Sequence, residues 1–166
     1  MRKIDKTLIF AAVYITIENK LTTNHFLNMY PEELVAIIEA ELTDSGFIPF
    51  KNAKQVTEHF ANHTGTTLLV VNSMCGCAGP DARMGVVEAL ATNPYTPDHL
   101  VTIFPGIDEE AMEQVQNYIK PYPLSSPSIA LIKDGAVVYF MERHQIKGRP
   151  SEEIAEEIAD ALIEHC

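Results

Sequence analysis

Apolar and polar positions follow two rhythms along this chain, and the switches between them mark out its elements. Over 31–43 the apolar residues Leu34, Val35, Ile37, Ile38 and Leu42 recur at helical spacing, and Asp44-Ser45-Gly46 ends the stripe. A second helix is predicted over 52–62, with Asn52 as its cap and Val56, Phe60 and Ala61 facing inward. The run from Thr66 to Asn72 is apolar without alternation, which predicts a central strand covered on both faces. A helix over about 78–91 follows, and His99 to Phe104 reads as the next strand. Residues 108–119 predict an acidic-faced helix with Ala111, Met112, Val115 and Ile119 inward. Ser128 to Ile132 and Ala136 to Met141 flank Asp134-Gly135, a strong hairpin signal. Ser151 is the expected cap of a last helix that buries Ile154, Ile158, Ala161 and Leu162 and turns Glu152, Glu153, Glu156, Glu157 and Asp160 to water.

The predicted order is α-α-β-α-β-α-β-β-α. Strands separated by helices pair in parallel through crossovers, and the terminal hairpin adds an antiparallel edge. The expected class is therefore α/β, with a central mixed β-sheet and flanking helices. Residues 29–166 suffice for one domain with a core of its own.

Residues 1–28 read differently. They hold four basic residues (Arg2, Lys3, Lys6, Lys20) against Asp5 and Glu18, and an apolar run from Leu8 to Ile17. That run is shorter than the roughly 20 residues of a membrane span. Its basic flank resembles a secretory signal, but Glu18-Asn19-Lys20 stands where a small-residue cleavage site belongs. An extra strand or helix packed on the body is a second reading. We favour a third, an extension from an upstream start, disordered or otherwise apart from the domain, with Met29 as the natural first residue. Met29-Tyr30-Pro31-Glu32-Glu33 is a good helix opening, with Pro near the first turn and acids at the positive end of the dipole.

Charge excludes partners. Twelve Lys and Arg against 23 Asp and Glu give a net charge of −11, unsuited to nucleic acid or an anionic membrane surface. There are three cysteines, Cys75, Cys77 and the terminal Cys166. A disulfide-stapled secreted domain would carry more, spread along the chain.

Cys75-Gly76-Cys77 lies between a buried strand and a helix, at the carboxyl edge of the sheet where α/β proteins collect ligands. Free N–H groups and the dipole of the helix beginning there are expected to favour a thiolate. Cys75, first in the loop, is the candidate nucleophile, and Cys77 the resolving thiol that attacks a mixed disulfide on Cys75. A bridge between residues two apart is tight, and Gly76 is the expected middle residue because it tolerates unusual backbone angles. Two other readings stay open: a pair of buried structural cysteines, and a soft-metal site completed by Cys166 or a histidine. No second cysteine or histidine pair closes such a site, so thiol chemistry with no bound metal is favoured. Ser125-Ser126-Pro127-Ser128 precedes a strand; an isolated X-Pro bond is ordinarily trans, but after a redox motif Pro127 is expected cis.

Together these residues resemble the thioredoxin fold, with redox cysteines at a strand end and a cis-Pro before the terminal β-hairpin. Asn72-Ser73-Met74-Cys75-Gly76-Cys77-Ala78, Ser125-Ser126-Pro127-Ser128, Arg143-His144-Gln145-Ile146-Lys147-Gly148 and His165-Cys166 are similar, more closely, to the bacilliredoxins, from Met29 to Cys166. The resemblance implies a cytoplasmic thiol–disulfide oxidoreductase that removes bacillithiol, a small cysteine-containing thiol, from oxidised client proteins. Cys75 attacks the client's mixed disulfide, and Cys77 or a second bacillithiol clears the adduct. Pro127 then faces Cys75, and the backbone before it pairs with the incoming disulfide. No resident cofactor is implied; the partners are clients, the small thiol and a recycling reductase. Ser126 is a candidate to hold the substrate. Arg143 and His144 are others, because with Lys147 and Arg149 they form a dense basic stretch in an acidic chain and bacillithiol carries carboxylates; the alternative is simple charge balance for neighbouring glutamates. Cys166 is a candidate regulatory thiol. After Cys77 the family usually continues to Ala-Arg-Pro, whereas here Arg83 is followed by Met84, and Asp81 adds a negative charge near the site. A disulfide isomerase or general disulfide reductase is the alternative within redox chemistry, and a metal-binding module built on the three cysteines the alternative outside it.

Overall fold

Strand β2 (Thr66–Val71) is buried at all six positions, as its unbroken apolar character requires. It lies between β3 (His99–Ile103), to which it runs parallel, and β4 (Ser128–Lys133), to which it runs antiparallel. β1 (Ile48–Pro49) and β5 (Ala136–Met141) complete a mixed sheet in the order β1-β3-β2-β4-β5. These coordinates are a computed structural model that describes residues 30–62 and 64–166. The reading of residues 1–28 as an extension lies outside the described residues.

Helices cover both faces of the sheet. Leu68 and Val70 of β2 point to one side, where they meet Leu42 of α1 (Glu32–Thr43), Val86 of α3 (Gly79–Thr92) and Ile154 and Ile158 of α6 (Ser151–His165). Leu69 and Val71 point to the other, against Val56 of α2 (Ala53–Asn62) and Ala111 and Val115 of α4 (Glu109–Val115). The period-two alternation of a strand thus supplies two cores, one on each face. Asp134 and Gly135 both take positive φ, +49° and +82°, the pairing that a two-residue hairpin turn demands.

Several local expectations give way. β1 and the four-residue α5 (Arg143–Ile146) are too short to leave a periodic signal. The helix expected over 108–119 stops at Val115; beyond it Asn117 and Tyr118 donate to carbonyls three residues back, which tightens the last turn. On α1, Val35 and Leu42 are buried while Leu34 and Ile37 are 43% and 65% exposed, because the helix packs mainly on α3 and the short edge strand β1, along a narrow stripe. Ala61 is exposed, and His59 takes the inward place, its Nε2 3.0 Å from Thr67 Oγ1. Asn52 does cap α2, accepting from Gln55 N–H at 3.0 Å. Ser151 is instead the buried first residue of α6, which follows Pro150 and has no side-chain cap.

The packing of α3 on α6 makes a sharp prediction. A Cβ built on Gly85 would sit 2.7 Å from Ile154 Cγ2 and 2.9 Å from the Ser151 carbonyl oxygen. Backbone cannot yield as a side chain can, so Gly85→Ala is expected to cost about 1–3 kcal/mol in urea denaturation. A variant as stable as the parent would show that the two helices can slide apart.

Candidate functional site

The segment after β2 is held by its own side chains. Asn72 N–H still donates to the Ile103 carbonyl at 2.9 Å, Ser73 N–H to Asn72 Oδ1 at 2.8 Å, and Cys75 N–H to Ser73 Oγ at 3.1 Å. Gly79 N–H then closes onto the Cys75 carbonyl at 2.8 Å, and α3 begins. Cys75 and Cys77 are joined by a disulfide, Cys75 half-buried and Cys77 exposed.

The donors at the sulfurs differ from those expected. The first amide of α3 is taken by the Cys75 carbonyl, and the second helical residue, Pro80, has none to offer. Cys75 Sγ instead accepts from Cys77 N–H at 3.4 Å and from Arg143 Nη2 at 3.2 Å; the same Nη2 lies 3.3 Å from Cys77 Sγ. Gly76 also has a different role from the one expected. Its φ lies outside the left-handed region and a Cβ there would meet nothing within 4 Å. It leaves the approach to the sulfurs open.

The β2–β4 pairing sets Val71 opposite Ser128 and so brings the preceding loop against the cysteines. The Ser126–Pro127 peptide is cis, as is Lys120–Pro121. Ser126 Oγ donates to the Asn72 carbonyl at 2.8 Å, and the Ser126 carbonyl accepts from Arg143 Nη1. The Ser126 carbonyl, part of the backbone expected to pair with an incoming disulfide, thus already accepts one bond from a guanidinium. Arg143 is fixed at its backbone too, its N–H 3.2 Å from Ser125 Oγ, and α5 is closed by reciprocal bonds between Glu142 and Gln145. Beside these groups lies a cavity of about 310 Å³ lined by Tyr30, Ser73, Met74, Cys75, Pro105, Ser126 and Arg143.

Cys75, Cys77, Ser126, Pro127 and Arg143 thus assemble, while two candidates do not join them. The His144 side chain is 74% exposed, its Nδ1 3.3 Å from Glu142 Oε2. Cys166 is exposed at the end of α6, where Lys133 Nζ donates to the His165 carbonyl at 2.6 Å. Lys133 pairs with Thr66, the end of β2 away from Cys75. Six strand residues span about 17–20 Å, so Cys166 cannot join Cys75 and Cys77 on one metal within a chain. Among the described residues no group of three His, Cys, Asp or Glu is placed to hold a metal ion.

Tertiary structure adds residues that no motif singled out for the site. Arg83 is buried, its Nη1 3.1 Å from Asn72 Oδ1 and 3.0 Å from the Ser73 carbonyl and its Nε 2.6 Å from Glu41 Oε2. A Cβ on Gly79 would lie 2.6 Å from that same Ser73 carbonyl, so only glycine lets α3 start so close. Asp108 holds the loop that carries Pro105 by accepting Phe104 N–H at 2.9 Å; burial pushes its carboxyl up from the ordinary value.

Comparison with known proteins agrees with this geometry. A family model described as "Disulphide isomerase" matches residues 30–166. A bacilliredoxin of Cytophaga hutchinsonii is 47% identical over 127 residues, 76% of this chain and 93% of the relative. A bacilliredoxin of Bacillus cereus is 42% identical over 137 residues, 82% of this chain and 95% of the relative. Among solved structures, a putative oxidoreductase with a thioredoxin fold aligns with a TM-score of 0.53 at 10% identity, covering 69% of this chain and 91% of its own; it speaks to the fold alone.

Proposed function

The chain belongs to the bacilliredoxin family of thiol–disulfide oxidoreductases, and from that premise we propose that it removes bacillithiol from S-bacillithiolated client proteins. In the proposed cycle the Cys75 thiolate attacks the bacillithiol sulfur of the client's mixed disulfide. The client sulfur leaves with the electron pair and takes a proton, and bacillithiol stays on Cys75. The Cys77 thiolate then attacks Cys75 Sγ, expels bacillithiol as thiolate and closes the Cys75–Cys77 disulfide; a second bacillithiol can clear the adduct instead. Two electrons from a recycling reductase reopen the disulfide. Sulfur carries every electron, so the cycle needs no resident cofactor or metal.

The observation that best supports this reading is the cavity beside Cys75, which is at the small end of ligand pockets and opens next to a guanidinium. It fits a small anionic thiol better than a protein strand. We place the cycle in a reducing cytoplasm, where such a dithiol is kept ready for attack. Among the described residues no helix is long and apolar enough to cross a membrane.

A second reading has one observation behind it, the description of the matching family model as a disulphide isomerase. The test offers both substrates to the reduced protein. A bacillithiol-capped client is expected to lose the mass of its cap within one turnover, while a scrambled disulfide protein is left largely unchanged. Reshuffling of the scrambled protein with the cap untouched would replace the bacilliredoxin reading by the isomerase one.

A further inference from the structure

We infer that Arg143 is the counter-ion of the Cys75 thiolate and acts as a catalytic residue, rather than only as a holder of the substrate's carboxylates. The inference rests on Cys75 being the nucleophile, as proposed above, but not on the identity of the small thiol.

Three observations carry it. First, Arg143 reaches both reacting atoms with one nitrogen, at 3.2 Å from Cys75 Sγ and 3.3 Å from Cys77 Sγ. Second, it cannot easily swing away: its other terminal nitrogen is bound to the Ser126 carbonyl and its backbone N–H to Ser125 Oγ. Third, its charge has no carboxylate partner among the described residues. The contrast is sharp in so acidic a chain, where Arg83 pairs with Glu41 and Arg149 with Glu157 and Glu153. A fixed cation without an anion, aimed at two sulfurs, is complementary to the charge that appears when the disulfide opens.

The chemistry follows in balance. When a reductant thiolate attacks the exposed Cys77 Sγ, the Sγ–Sγ bond breaks and its electron pair remains on Cys75 Sγ. The contact of the Arg143 guanidinium with a neutral sulfur then becomes an ion pair with a thiolate, bridged by the same hydrogen bond. The same pair favours ionised Cys75 before it attacks a client. The sign is fixed: a nearby cation favours the charged form, so removing it must raise the pKa of the thiol.

The test follows iodoacetamide alkylation of Cys75 against pH in a Cys77→Ser, Cys166→Ser background. Arg143→Gln is expected to move the inflection up by about one pH unit, while Arg143→Lys keeps most of the parent value. Below the inflection the thiolate fraction falls about tenfold and its nucleophilicity rises about threefold, so alkylation slows about threefold. An unmoved inflection in a folded Arg143→Gln protein overturns the inference. Should that variant fail to fold, the Arg143 Nε–H resonance of the same background protein decides: it must titrate with Cys75, and a resonance indifferent to thiol ionisation is equally fatal. Peptide mapping of the Cys166→Ser protein separates this from failure of the site assignment, which would show as first alkylation at Cys77. Failure to uncap a bacillithiolated client would leave the pH profile intact.

Discussion

Cys75→Ser is expected to reduce uncapping of a client to the background exchange rate, while Cys77→Ser still takes one small thiol from the client and holds it. The roles follow from the surroundings of the two sulfurs rather than from their exposure. Cys77 is the more exposed of the pair, and exposure alone would make it the nucleophile. Yet Cys75 lines the cavity and accepts from both the Cys77 amide and Arg143. Two donors stabilise a thiolate more than one, and the thiolate is the attacking species. The experiment is single-turnover exchange in a Cys166→Ser background, because exposed Cys166 would collect small thiol on its own account. Intact mass is expected to show the client free of its cap and one adduct on the Cys77→Ser protein. An adduct held by the Cys75→Ser protein instead would reverse the roles of the two cysteines.

That asymmetry was only half legible in the sequence. Strand, Cys75-Gly76-Cys77 and helix are contiguous, so local pattern suffices to set the cysteines at the sheet's carboxyl edge. The same holds for the unbroken run of β2 and for Asp134-Gly135, whose conformations depend on near neighbours. Arg143 is another matter. It stands 68 residues from Cys75, and nothing in its own segment says that the Ser126 carbonyl will turn its side chain toward sulfur. The sequence offered Arg143, His144, Lys147 and Arg149 as one basic cluster. The fold divides them, with Arg143 to the sulfurs, His144 to Glu142 and Arg149 to glutamates of α6. Helix α5 turns successive residues about 100° apart, which suffices to separate neighbours that composition groups together. The helix amides expected to serve the thiolate failed for a similarly local reason, since the turn that opens α3 uses one and Pro80 removes the next.

The buried side of the same site leads to the second large effect. Arg83→Met is expected to destabilise the protein by about 2–4 kcal/mol, while Glu41→Gln costs about 0–1 kcal/mol. Both substitutions break one ion pair, so a model counting only that pair would make them equal. They differ in what each leaves behind. Arg83 is 4% exposed and its guanidinium also serves Asn72 Oδ1 and the Ser73 carbonyl; without it these acceptors lose a charged donor in a place water does not reach. The Glu41 side chain is 44% exposed and simply rehydrates when its partner goes, and glutamine in its place still accepts from Arg83. Asn72 has little room to compensate, since its Nδ2 is already buried without a partner. Its carbonyl is also the acceptor that fixes Ser126, and its Oδ1 holds the Ser73 amide that leads to Cys75. Loosening Asn72 therefore reaches the cysteines from two directions. Urea midpoints for the two variants, with the Cys75 alkylation rate of each, read both effects. The expected pattern is a large loss of stability and altered alkylation in Arg83→Met against near-parent behaviour in Glu41→Gln. Equal losses would place the energy in the ion pair itself and remove Asn72 from the support of the site.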